Sequence, residues 1–295
     1  MTILTGAPPV RPSAGPVTLR PSRRRGRAHP LVYLLLLAAV AGCVFPLYWT
    51  LVVASQTSAA ASSTPPPLLP GGHLWSNIGR VFSQSPFKKA LINSFVVSGS
   101  ITLSVVFFAS LAGFAFAKLR FRGRNALLLS VIGTMMVPTQ LGIIPLYILM
   151  AHLGWANQIQ AVIVPGLVTG FGVFFMRQYL SGAVPDELLE AGRVDGCSTF
   201  GLFWHVALPA ARPAAAVLGL FTFMQAWNDF FWPLVVLNGD NPTVQVALSQ
   251  LASGYYQDYS LVLAGTLVGT VPIVVVFLLL GKQIIGGIMQ GAVKA

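Results

Sequence analysis

The sequence predicts an all-α integral membrane protein with six transmembrane helices, and three observations carry that reading. First, 55% of the 295 residues are hydrophobic and only 8% are charged. A water-soluble domain carries about 25% charged residues, so this chain lacks the polar surface to cover a water-facing exterior. Second, six stretches are apolar on every face and long enough to cross a bilayer, which takes about 20 residues of helix. Third, the basic residues fall into clusters between those stretches, and the clusters alternate in strength along the chain.

The expected spans are 31–53, 90–117, 126–150, 159–176, 213–237 and 260–281. Long apolar runs cannot give the alternating pattern of a membrane barrel strand, so each is read as a helix. Pro138, Gly142 and Pro145 interrupt the third, Pro165-Gly166 the fourth and Pro272 the sixth. Proline costs about 3 kcal/mol inside a helix, so kinks are expected there. They serve either as bendable walls of a pathway or as ordinary kinks relieved by neighbouring helices.

Orientation follows from Lys and Arg. The leader holds Arg11, Arg20, Arg23, Arg24, Arg25 and Arg27. The second-to-third connection holds Lys118, Arg120, Arg122 and Arg124, the fourth-to-fifth Arg177, Arg193 and Arg212, and the tail Lys282 and Lys294. Only Arg80, Lys88 and Lys89 lie on the other side. Basic loops stay in the cytoplasm, so the chain is read as multi-pass in the cell membrane with both termini cytoplasmic. The same clustering argues against nucleic acid as the reason for the net charge of +11.

Residues 1–29, rich in Arg, Pro and Ser, are expected to be a disordered basic leader ahead of one domain at 30–295. A cleavable signal peptide ending near Ser58-Ala59-Ala60-Ala61 is the rival reading. Its apolar run exceeds the 7–15 residues of a signal core, which favours a retained first span. Thr64–Pro70 is expected to be semi-rigid. Cys43 lies in an apolar run and Cys197 in a loop, so no disulfide is expected.

The connection at 177–212 carries the strongest local pattern. Pro185 with Asp186 and Glu187 suits a helix start, and Gly196 a helix stop. A second helix is expected from Ser198 or Thr199 to just before Pro209. Phe200, Phe203, Trp204, Ala207 and Leu208 recur at helical spacing on one stripe. Two short helices bent at a glycine suit either a plug for another protein's groove or an amphipathic pair on the bilayer surface.

Here Glu190-Ala191-Gly192, three residues, Gly196, nine residues, then Val206-Ala207-Leu208-Pro209 resembles the cytoplasmic signature of ABC-importer permeases. Gly192 stands for the second alanine of that signature, and Val206 for its isoleucine. Ile144-Pro145-Leu146-Tyr147, Trp227-Asn228-Asp229-Phe230, Trp232-Pro233-Leu234 and the tail Gln290–Ala295 resemble the maltose-type, carbohydrate branch. The resemblance covers residue 30 to the end.

It implies a six-span type I permease, and a helix pair seated in the cleft of an ATPase subunit. Glu190, Ala191, Gly192, Asp195 and Gly196 would then contact the ATPase, with Leu208 and Pro209 closing the motif. It implies as partners a second permease, two ATPase subunits that bind ATP and Mg, and an extracellular sugar-binding protein reached through the loop 238–259. The tail 282–295 would approach the ATPase. The cargo it implies is a di- or oligosaccharide, with a cello-oligosaccharide as the particular expectation. A permease for another solute is the alternative.

No Gly-x-x-x-x-Gly-Lys-Ser/Thr phosphate loop occurs, so ATP chemistry is expected from a separate subunit. No catalytic motif and no metal-ligand spacing is found; His29, His73, His152 and His205 are scattered in expected loops. A self-sufficient secondary transporter would carry ionisable groups deep in several spans, and only Asp229 qualifies. Trp227, Asn228, Asp229 and Trp232 are therefore candidates either for a sugar-facing wall or for an anchor between helices.

Overall fold

The computed structural model describes residues 29–253 and 257–292, with side chains through Gly281. The expected disorder of the leader falls on residues outside this range apart from His29. Among the described residues all regular structure is helical. The α-helices are α1 (Pro30–Ala54), α2 (Ser58–Ala61), α3 (Leu74–Gln84), α4 (Phe87–Lys118), α5 (Arg124–Thr134) and α6 (Ile143–His152). They continue as α7 (Gln160–Ile163), α8 (Gly170–Ala183), α9 (Asp186–Val194), α10 (Thr199–Leu202) and α11 (Leu208–Trp227). The last are α12 (Phe231–Val236), α13 (Val244–Ala252) and α14 (Tyr259–Ala292).

Five helical stretches are long and apolar enough to cross a membrane, and a sixth is counted if the bent pair α5–α6 is one span. Two compact units meet at Pro46. In the first unit α1 exposes every side chain from Leu31 to Phe45, as a helix bathed in lipid does. In the second unit α4 is the central post. It packs most extensively on α8 and α11, while α11 also packs on α14 and α14 on α3. Close approach depends on small residues: a Cβ on Gly113 of α4 would meet the Arg177 backbone nitrogen of α8 at 2.7 Å.

Proline effects differ by position. The third span breaks at Met135–Pro138 and turns by 84°, because the residue before proline disfavours the helical region. Pro145 sits in the first turn of α6, where its missing N–H costs nothing, and no kink arises. Before Gly170 the fourth span is interrupted around Pro165 by a 3₁₀ turn and three non-helical residues. Pro272 lies inside the continuous α14, which runs eleven residues beyond the expected end at Gly281.

Two expectations are corrected in the fifth span. The second loop helix does not stop before Pro209; helix runs unbroken from Thr199 to Trp227 through a π turn at Phe203–Ala207. The Leu208 N–H donates to the Phe203 carbonyl five residues back. Pro209 cannot donate to the residue four back and its ring crowds that carbonyl, and a wider turn just ahead relieves the crowding. The span also ends at Trp227 rather than residue 237, and Asn228 is its C-cap, with its backbone N–H at 3.0 Å and its side-chain amide at 2.8 Å both on the Met224 carbonyl.

The loop 238–243 is held by amides. Asn157, in the left-handed region at φ 62°, donates its N–H to the Val236 carbonyl and accepts from Asn238 N–H. Asn241 bonds the Asn157 carbonyl, and Asn93 of α4 donates to Asn241 and to the Pro242 carbonyl, each at 2.9 Å.

Candidate functional site

The pair α9–α10 is built from local rules. Pro185 is the N-cap of α9 and Asp186 and Glu187 fill its first turn, placing negative charge at the positive end of the helix. Lys118, at the end of α4, reaches Asp186 at 2.8 Å and also donates to the Ser181 carbonyl. That hydrogen bond and charge hold the Asp186 carboxyl below its ordinary range. Within α9 only Leu189 is buried.

The bend is a Schellman motif. The Gly196 N–H donates to the Arg193 carbonyl at 3.0 Å and the Cys197 N–H to the Gly192 carbonyl at 2.9 Å, closing two orphan acceptors. This geometry needs a left-handed residue, and Gly196 stands at φ 82°. Ser198 then caps α10, its hydroxyl accepting from Gly201 N–H at 3.1 Å. A Cβ on Gly192 would lie 2.5 Å from a Leu202 methyl carbon. The departure at Gly192 thus lets α9 and α10 close on each other, which offsets its weak helix propensity.

The expected aromatic stripe divides. Leu202, Phe203 and Ala207 are buried, with Phe203 packed on Phe114 of α4 at 5.8 Å between ring centroids. Phe200 and Trp204 are exposed and stacked on each other at 6.3 Å. Glu190, Ala191, Asp195, Gly196 and Pro209 are exposed, while Gly192 and Leu208 are half-buried. Val194 is 88% exposed, so the bend presents an apolar tip ringed by polar groups.

In the second candidate cluster Trp227 ends α11 and Trp232 lies in α12, with Asn228 and Asp229 in the break between them. Trp227 is 1% exposed, stacks on Phe223, and donates its indole N–H to the Gly269 carbonyl of α14 at 3.1 Å. Trp232 is half-buried and donates to the Ala161 carbonyl at 3.0 Å. Asn228 is exposed, its side-chain oxygen accepting from Gln245 at 3.3 Å, and Asp229 is half-buried. The two tryptophans therefore tie helices together, and Asn228 is the open polar group of the set.

A family profile described as "Binding-protein-dependent transport system inner membrane component" matches residues 105–283, about three-fifths of the chain. The chain belongs to this family. The permease is 38% identical over 203 residues to the arabinooligosaccharides transport system permease protein AraQ of Halalkalibacterium halodurans, covering 68% of this chain and 72% of that one. It is 32% identical over 272 residues to the lactose transport system permease protein LacG of Rhizobium radiobacter, covering 92% and 98%. Among solved structures it resembles a bacterial ABC transporter that imports the acidic polysaccharide alginate. That match has a TM-score of 0.74 at 24% identity, and covers 89% of this chain and 99% of the other.

The protein is thus a multi-pass permease subunit with the ABC importer fold, not an enzyme, and the ATPase is a separate subunit. Among the described residues no group of three or more His, Cys, Asp or Glu is placed to hold a metal ion. Sequence reasoning counted Lys118 only for topology and did not pair it with Asp186, 68 positions away. No local signal marks such a pair. Adjacent Asn228 and Asp229 are weak helix formers, which suits a helix end.

Proposed function

We propose that this permease is one half of the membrane pathway of an ATP-driven sugar importer. A second permease completes the pathway, two ATPase subunits bind ATP and Mg, and an extracellular binding protein delivers a di- or oligosaccharide. The arabinooligosaccharide and lactose transport assigned to its relatives supports a sugar as cargo. Both termini lie in the cytoplasm, so α9–α10 faces the ATPases and the loop 238–259 faces the binding protein.

The observation that carries the reading is the Schellman bend at Gly196, rigid within the chain and capped on both helices, whose tip projects Val194 outward. A helix pair built this way transmits a push as a rigid body. Glu190, Ala191, Gly192, Asp195 and Gly196 form the ATPase-facing surface, with Leu208 and Pro209 joining it to the fifth span. When the ATPases close, the pair moves, and α11 moves with it because the helix is continuous from Thr199 to Trp227. Asn228 and Asp229, at the far end of that lever, are the groups placed to sense or contact sugar, with Trp227 and Trp232 holding them in position.

The test is uptake by proteoliposomes containing the assembled complex. Sugar accumulation should require ATP and persist when the proton gradient is collapsed. Accumulation by this permease alone, driven by protons or sodium, would contradict the proposal.

A further inference from the structure

The turn between α4 and α5 holds charge that the fold leaves unused. Residues 118–126 include Lys118, Arg120, Arg122 and Arg124 and no acid. Lys118 is bonded to Asp186, and Arg124 donates one bond to the Leu119 carbonyl at 3.3 Å. Among the described residues Arg120 and Arg122 make no ion pair. Asp186 feels the charge of Arg120 but its hydrogen bond goes to Lys118.

These residues close on an open cavity of about 420 Å³ lined by Arg120, Phe121, Gly123, Arg124, Asn125 and Ala126. Gly123, at φ 80°, is the N-cap of α5 and supplies no side-chain cap, and the first turn has no acid. The start of a helix is its positive end, where a cation is misplaced. Two arginines flanking such an end line one open volume, and the bond from Arg124 to the Leu119 carbonyl occupies only one of their guanidinium donors. The charge asymmetry across the membrane needs basic residues only; it does not need them gathered round a cavity.

Planar guanidinium forks match phosphate oxygens. Beside the cavity α5 is apolar and open on two sides, with Leu127 54% and Leu129 69% exposed, and Phe121 lies half-exposed at the rim. We propose that Arg120 and Arg124 bind a phosphate group, that of an anionic phospholipid whose acyl chains lie along Leu127 and Leu129. The site adjoins the first turn of α9 through Lys118 and Asp186 but uses none of the residues assigned to the ATPase surface or the sugar path, and goes beyond the importer reading.

The full chain, purified in detergent and stripped of lipid, is titrated with phosphatidylglycerol or with phosphatidylcholine of the same chains, and bound lipid is counted by native mass spectrometry. One phosphatidylglycerol should bind in preference to phosphatidylcholine. Arg120→Gln with Arg124→Gln should weaken it roughly tenfold or more, from the attraction of two arginines for anionic lipid. Arg23→Gln with Arg24→Gln, the same charge change in the leader, should leave binding unchanged. Equal loss in both double variants, or no preference over phosphatidylcholine, would overturn the proposal. Displacement of the lipid by millimolar inorganic phosphate would overturn the lipid as the source of the phosphate. Should the first double variant melt below the wild type, a photoactivatable phosphatidylglycerol on the wild-type chain decides. Label within residues 119–130 supports the site, and label confined elsewhere removes it.

Discussion

A single indole shows how a residue chosen for one role can be held by another. Trp227 was selected for its aromatic face beside Asn228 and Asp229, a composition suited to carbohydrate. Its ring is enclosed by Phe223 and α14, and its N–H satisfies the Gly269 carbonyl. Trp227→Phe would leave that donor missing in a buried place, at about 1–3 kcal/mol. The expected outcome is a lower melting temperature of the purified permease with sugar affinity of the assembled complex unchanged; altered affinity at unchanged melting would return Trp227 to the path. Gly196 and Ser198 were legible because their roles are local: a left-handed turn and a helix cap depend on neighbours in sequence. The Lys118–Asp186 pair was not, because it depends on where two spans end in space.

Elements were legible by composition and misjudged where the backbone had other partners. The apolar count carries straight through residues 228–230, yet α11 stops there, with Asn228 as its C-cap. Pro209 reads as a helix stop, yet a π turn lets the helix pass. α3 is docked at the start of α14 by Arg80, whose guanidinium reaches Asp258 at 2.6 Å. Burial raises the Asp258 carboxyl, but hydrogen bonds from Ser260 and Arg80 outweigh it and hold the group below its ordinary range. A carboxyl depressed in the folded state stabilises above its unfolded value of about 4 and loses that contribution as pH falls through the folded value. The pair is partly exposed, so the docking term is about 0.5–1 kcal/mol. Hydrogen exchange of α3 in nanodiscs, taken relative to the intrinsic amide rate at each pH, should therefore quicken on acidification below pH about 4. In Asp258→Asn it should be faster already at neutral pH and lose most of that dependence; exchange identical to wild type at both values would mean the pair does not hold α3.

At the scale of the whole molecule the order and number of spans were legible from hydropathy, and the packing was not. Nothing in the composition singles out α4 as the post on which α8 and α11 lean, or shows that Gly113 is what lets α8 come close. Orientation is a whole-molecule property that rests on charge placement, and labelling in sealed cells tests it. In a background without Cys43 and Cys197, Ser63→Cys and Asn241→Cys should react with an impermeant thiol reagent from outside. Gly123→Cys should not, and its labelling would invert the assignment.

The central claim is that the bend at Gly196 couples this permease to ATP hydrolysis, and Gly196→Asp tests it most directly. Within the chain the site is open, with nothing within 4 Å of an added Cβ. The strain of a left-handed non-glycine, about 1–2 kcal/mol, falls on the bend alone and should leave the spans inserted. In the assembled complex the new side chain stands at the surface proposed to face the ATPase. Sugar-stimulated ATP hydrolysis and sugar uptake are measured in the same proteoliposomes, with co-purification of the ATPase subunits as the assembly control. The account predicts that Gly196→Asp abolishes uptake, either with the ATPases lost or with hydrolysis continuing without transport. Normal coupled transport by that variant would contradict it.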